Sequence, residues 1–177
     1  FLNAVAATDA NTIYKTAMDT SPMGGITQSG VSGSYTYAVK PGYADMPVTF
    51  VTWYNSLRFI NWMENGQPIG AQGPSTTEGG TYTLTGVQTL VGGRNPAANY
   101  VLPNVNEWIK AAFYDPTKGG SGGYWEKPVR VDGNMYSDQP PGTGAPNASL
   151  TGNIFGHDGQ ANNYDDGYAV TGVATTS

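Results

Sequence analysis

The sequence predicts an α+β fold with two main helices packed on a small antiparallel sheet. Three observations carry this reading. Residues 52–64 and 105–114 each join a capping residue to an apolar stripe at helical spacing. Residues 33–39 and 81–85 alternate between facing sides, as strands do. Residues 117–177 show almost no helical periodicity, so the last third reads as loops and short strands held by packing.

Taken in order, Phe1, Leu2 and Val5 sit at helical spacing and predict the last turns of a helix. Residues 8–33 are polar, with a turn at Ser21-Pro22-Met23-Gly24-Gly25. Tyr35, Tyr37 and Val39 fall on one side of the first predicted strand. Pro47-Val48-Thr49-Phe50-Val51 predicts a short strand running into the first main helix. Thr52 caps that helix, Trp53, Leu57, Ile60 and Met63 mark its buried stripe, and Gly66 suits the position just past its end. A Gly/Pro/Ser/Thr loop over 67–80 precedes the second alternating strand.

Tyr100-Val101-Leu102 predicts a strand end that turns into the second main helix. Asn104 caps this helix, and Glu107, three residues on, can reach back to the cap's own N–H as a capping box. Trp108, Ala111 and Ala112 share one face, and Pro116 stops the helix. Trp53, Trp62 and Trp108 are expected in the core. No boundary interrupts the chain, so 1–177 is read as one domain.

Composition narrows the function. The chain has 177 residues, 25 of them Gly and 12 Pro, with 12 Tyr, 4 Trp and no Cys. This is loop-rich and aromatic, yet too hydrophobic for disorder. A net charge of −5 argues against a nucleic-acid partner, which wants a basic surface. Zero cysteine removes disulfides, thiolate metal sites and cysteine nucleophiles from these residues. No run approaches the ~20 apolar residues of a membrane span. Richness in Gly, Thr, Ser, Asn and Tyr with little Lys or Glu points to an extracellular or cell-envelope protein.

Pro47-Val48-Thr49-Phe50-Val51-Thr52-Trp53-Tyr54-Asn55, with Asn61-Trp62, resembles the first helix of the formylglycine-generating (sulfatase-modifying factor) family. Leu102-Pro103 through Ala112 is similar to that family's "LPTEAEWEYAA" signature. Tyr124-Trp125-Glu126-Lys127-Pro128 resembles its "YPWG" segment. The resemblance implies a C-type-lectin-like fold with a long irregular region stabilised by calcium. It also implies a domain without the family's first strand and without its C-terminal "GGNVWEW" and cysteine-bearing segments.

Gly152-Asn153-Ile154-Phe155 and Asp165-Asp166-Gly167-Tyr168 resemble the family's calcium loop. Carried over, Asn153 offers its side-chain oxygen, Ile154 and Tyr168 their carbonyls, and Asp166 its carboxylate. Such hard oxygen donors suit Ca2+, although Asn, Asp and Gly also make ordinary turns. Asp158 and Asp165 are expected to be solvated.

Other constellations carry less. His157, the only histidine, lies in a polar loop and reads as an exposed residue; one histidine cannot build a three-histidine metal site. Glu107 is explained by capping, which leaves no convincing carboxylate pair for acid–base work. Gly119-Gly120-Ser121-Gly122-Gly123 lacks the Lys-Ser/Thr of a P-loop and reads as a hairpin tip. Asn147-Ala148-Ser149 fits a glycosylation sequon. The tail aromatics Tyr124, Trp125, Tyr136 and Tyr164, with Tyr168, are the candidates for a binding face.

The reading that follows is a non-catalytic, calcium-stabilised, lectin-like module for extracellular recognition or surface assembly. Its partner would be a protein or a glycan, with completion by another chain or by a second copy as a further expectation. The alternative is a fragment of a formylglycine-generating oxidase whose cysteines lie outside these residues.

Overall fold

The computed structural model describes residues 1–128, Arg130, Asp132 and the backbone of Tyr136–Ser137 and Thr151–Gly152. The architecture is α+β, and the chain divides into two compact units, Phe1–Leu102 and Pro103–Ser177.

The first unit opens with α1 (Leu2–Val5) and α2 (Ala17–Thr20), then β1 (Ile26–Ser29) and β2 (Thr36–Val39). The two strands form an antiparallel ladder, with Gln28 opposite Tyr37 and Ile26 opposite Val39. β1 lies inside the stretch expected to be a polar loop; its Thr-Gln-Ser run shows no alternation, and the ladder to β2 makes it a strand. Asn3 of α1 bonds Tyr37 twice: its Nδ2 donates to the Tyr37 carbonyl at 2.9 Å and its Oδ1 accepts the Tyr37 N–H at 2.8 Å. Tyr37 is buried, and its hydroxyl donates to the Ala6 carbonyl at 2.8 Å. Burial pushes its phenol up from the ordinary range.

α3 (Trp53–Glu64) is the helix expected from 52–64. Thr52 accepts from the Asn55 N–H, and Gly66 follows the end at φ +79°, a conformation glycine adopts freely. The buried face differs from the expected stripe. It holds Asn55, Leu57, Arg58, Asn61 and Trp62, whereas Ile60 and Met63 are half-buried and Trp53 is 49% exposed. The reason is a polar network that outcompetes apolar burial. Arg58 is fully buried and grips Glu78 through Nε (2.8 Å) and Nη2 (3.0 Å). Its remaining N–H groups reach Asn55 Oδ1, the Val87 carbonyl and the Gly86 carbonyl. Asn61 donates to the carbonyls of Thr77 and Tyr82 and accepts the Tyr82 N–H. Two side chains of α3 thereby hold the loop that leads into β3 (Thr83–Thr85), which pairs antiparallel with β4 (Thr89–Val91).

Two small apolar clusters complete this unit. Val5, Ile13 and Trp62 form one, with Phe1, Leu2, Ala4 and Met63 against it; Leu57, Tyr82 and Leu84 form the other. Trp62 takes the core place expected of it, because its indole N–H finds the Pro68 carbonyl at 2.9 Å. Residues 47–51 do not form the expected strand: Pro47 has no N–H to give, and Phe50 sits at φ +59°. Residues 100–102 likewise make no ladder.

The second unit begins with α4 (Val105–Phe113), bounded as expected apart from Tyr114, which is its cap. The capping box is present. Asn104 Oδ1 accepts from the N–H groups of Asn106 and Glu107 at 3.0 Å each, and Glu107 Oε2 accepts the Asn104 N–H at 2.8 Å. Asn104→Ala should lower the stability of this unit by about 1 kcal/mol. Glu107→Gln should cost less than Glu107→Ala, since Gln also fits a capping box; urea denaturation reads both. The helix carries no buried residue, and Trp108, expected in the core, is 52% exposed with its ring 5.5 Å from Phe113. Its spacing puts it on one helical face, but among the described residues that face is not buried, because spacing cannot by itself supply the second element a core needs.

The chain then forms β5 (Tyr114–Asp115), a 3-10 turn at Lys118–Gly120 and β6 (Gly123–Tyr124), with Tyr114 opposite Tyr124 and Asp115 opposite Gly123. This is the hairpin whose tip the glycine run predicts. β7 (Tyr136–Ser137) pairs parallel with β8 (Thr151–Gly152). Among the described residues no helix is long and apolar enough to cross a membrane.

Candidate functional site

The hairpin of the second unit is organised around one carboxylate. Pro116 ends α4 and Asp115 precedes it, so the chain turns at once; Thr117 then bonds back to Asp115 in an Asx turn. Asp115 Oδ1 accepts the Thr117 N–H at 2.8 Å and the Thr117 hydroxyl at 2.7 Å. Oδ2 accepts the Trp125 indole N–H at 3.0 Å and Arg130 through Nε (3.1 Å) and Nη2 (2.5 Å). Asp115 is buried.

Beside it, Lys118 Nζ donates to the Tyr124 carbonyl and to Asp132, and lies 4.2 Å from the centre of the Trp125 ring. Asp132 in turn accepts the Glu126 N–H at 3.0 Å. Trp125 is thus held on its edge by a carboxylate and on its face by a cation.

The hydrogen bond from the Trp125 N–H to the Phe113 carbonyl places Tyr114 and Tyr124 at the closely spaced rung of the ladder. Their rings stand 5.2 Å apart at 59° and are 42% and 52% exposed. Gly122, at φ +86°, completes the turn; a Cβ there would lie 2.8 Å from the Tyr114 hydroxyl. The result is a fixed aromatic surface on a short hairpin.

The hydroxyl and N–H of Thr117, then the Trp125 indole and Arg130, hold the Asp115 carboxyl well below the usual carboxylate range. Lys118, then the Glu126 N–H, lowers Asp132 in the same direction. A lowered folded-state value contributes stability that is complete above the unfolded value of about 3.9 and is lost as pH falls below it. Trp125 fluorescence should therefore stay flat from neutral pH to about 5 and change below about 4; Asp115→Asn should flatten that acid transition.

The first unit contributes an apolar groove of about 630 Å³, with Phe1, Val39, Val48, Val51, Phe59 and Leu102 among its walls. Its polar liners are turned to the protein: Asn3 to Tyr37, Asn55 to Ile13 and Arg58, Ser56 to Thr52. It offers bulk without polar discrimination.

Of the expected binding residues, Tyr124 and Trp125 come together on the hairpin, Tyr124 exposed and Trp125 half-buried. Tyr136 lies in β7, described through its backbone. Tyr164 and the calcium set Asn153, Ile154, Asp166 and Tyr168 lie outside the described residues, as do His157, Asp158 and Asp165. Among the described residues no three of His, Cys, Asp or Glu gather as a metal-holding group. Asp115, Lys118, Arg130 and Asp132 were not expected from sequence. Only the Asp115-Pro116-Thr117 turn signal was available to find the first of them. No family model, curated protein or solved structure matches the chain.

Proposed function

We propose that this chain is a non-catalytic recognition module of C-type-lectin-like architecture, acting at the cell envelope or outside the cell, whose ligand face is the aromatic hairpin. The observation that supports this reading is the Tyr114–Tyr124 pair, about half exposed on a hairpin pinned through Asp115 and Lys118. Rigid aromatic side chains offer large amphipathic contact area at small entropic cost. The ligand they suit has a flat apolar face, as a pyranose ring does or as the side chains of a protein partner do.

A glycan array followed by a pull-down tests it with the wild type and the Tyr114→Ala/Tyr124→Ala double variant. Binding by the wild type that the double variant loses by about tenfold or more supports the reading, since each buried aromatic anchor is worth about 1 kcal/mol or more. No glycan and no protein bound, or equal binding by both chains, overturns it.

The reading includes one structural calcium ion held by Asn153, Ile154, Asp166 and Tyr168. These donors are all oxygen and include one carboxylate, which is the chemistry Ca2+ takes. An ion that binds only the folded state at a hundred times its Kd adds about 2.7 kcal/mol, or about 5–10 °C in Tm for a chain of this size. Chelator should remove that increment and added Ca2+ restore it. An unchanged melt would remove the ion and leave the aromatic face standing. The oxidase alternative needs cysteines, and these 177 residues contain none.

A further inference from the structure

Asp115 is the one aspartate of the chain followed by proline. An Asp–Pro bond is the peptide bond most open to attack by its own side chain in acid. One carboxylate oxygen adds to the Asp backbone carbonyl carbon. The C–N bond to proline then breaks, and the proline nitrogen, more basic than an ordinary amide nitrogen, leaves with a proton taken from the acid. Water opens the resulting cyclic anhydride to a C-terminal aspartic acid. The sum is hydrolysis, and no other reactant is needed.

We infer that the Asp115–Pro116 bond is a latent self-cleavage site that the folded hairpin holds shut. The attack requires a carboxylate oxygen to swing onto its own carbonyl carbon. Neither oxygen is free to do so. Oδ1 is held by the N–H and hydroxyl of Thr117, and Oδ2 by the Trp125 indole and Arg130. The backbone is pinned as well, because Asp115 lies in register with Gly123 in the ladder. Burial of the side chain restricts the water that must open the anhydride. Opening the hairpin releases all three restraints together, so a chain that loses this turn in an acidic compartment is cut into 1–115 and 116–177.

The test is timed intact-mass spectrometry of the full chain in mildly acidic buffer, with and without urea at unfolding strength. Circular dichroism confirms which samples are folded. The folded chain should release the fragments 1–115 and 116–177 at least about tenfold more slowly than the unfolded chain, since cleavage through an open state follows that state's population. Thr117→Val and Trp125→Phe each remove one of the donors that hold the carboxylate, the Thr117 hydroxyl on Oδ1 or the indole N–H on Oδ2; they should speed cleavage of the folded chain and leave the rate in urea unchanged. Pro116→Ala should abolish the product in both. Equal folded and unfolded rates in the wild type overturn the inference. So does a folded Thr117→Val or Trp125→Phe chain that cleaves no faster than wild type.

Discussion

Glu78→Ala should destabilise the first unit by about 3–5 kcal/mol, the typical penalty for stranding a buried charge. Arg58 is fully buried and would keep only neutral acceptors: Asn55 Oδ1 and the carbonyls of Gly86 and Val87. Glu78 also accepts from Asn11 Nδ2 at 3.0 Å and the Thr77 hydroxyl at 2.9 Å, so those donors are stranded too. The charge is what matters. Replacing both partners together, Arg58→Met with Glu78→Leu, should cost less than Glu78→Ala alone, because no uncompensated ion remains. A double-mutant cycle by urea denaturation separates the pair's coupling from the packing of each side chain. A Glu78→Ala chain within about 1 kcal/mol of wild type would show that the guanidinium is hydrated in solution.

Asn61→Ala should be nearly as damaging, by about 2–5 kcal/mol. Each buried backbone group left without a partner costs about 1–3 kcal/mol, and Asn61 serves three: the carbonyls of Thr77 and Tyr82 and the N–H of Tyr82. Asn61→Asp preserves shape but turns an acceptor toward both carbonyls, so it should be no milder than alanine. Both variants should loosen the 77–82 loop before α3 itself frays, and amide exchange at Tyr82 and Leu84 reads that order. Uniform loss of protection across the unit would show that the loop and the helix open as one.

The parts of this fold that sequence discloses are those set by neighbours a few residues away. The Asn104–Glu107 box and the Thr52 cap each depend on spacings within one turn, and both are where the residues put them. The glycine-rich hairpin tip is legible for the same reason.

What sequence conceals depends on distant partners. Nothing within a few residues of Arg58 marks it as buried; Glu78, twenty positions on, and the 86–87 carbonyls close over it. Ile26-Thr27-Gln28-Ser29 carries no alternation and becomes a strand through Tyr37 and Val39. Trp53 and Trp108 show the converse: a large apolar side chain at a helical spacing goes inside only if something stands opposite it. In the candidate site, Tyr124 and Trp125 are visible as aromatics. The carboxylate that orders them is not, because Asp115 and Arg130 meet across a turn whose path no periodicity encodes.

Asn3 has a consequence for association between molecules. The Lys40 N–H to Gly25 carbonyl bond fixes the alternation of the β2 ladder, so Tyr37 points its backbone groups away from β1. An open strand border invites copies to stack rung upon rung. A single carboxamide from α1 occupies both of those groups at Tyr37 and imitates a neighbouring chain. A would-be fibril seed meets a rung already taken at Tyr37, and that part of the border is blocked without any extra strand.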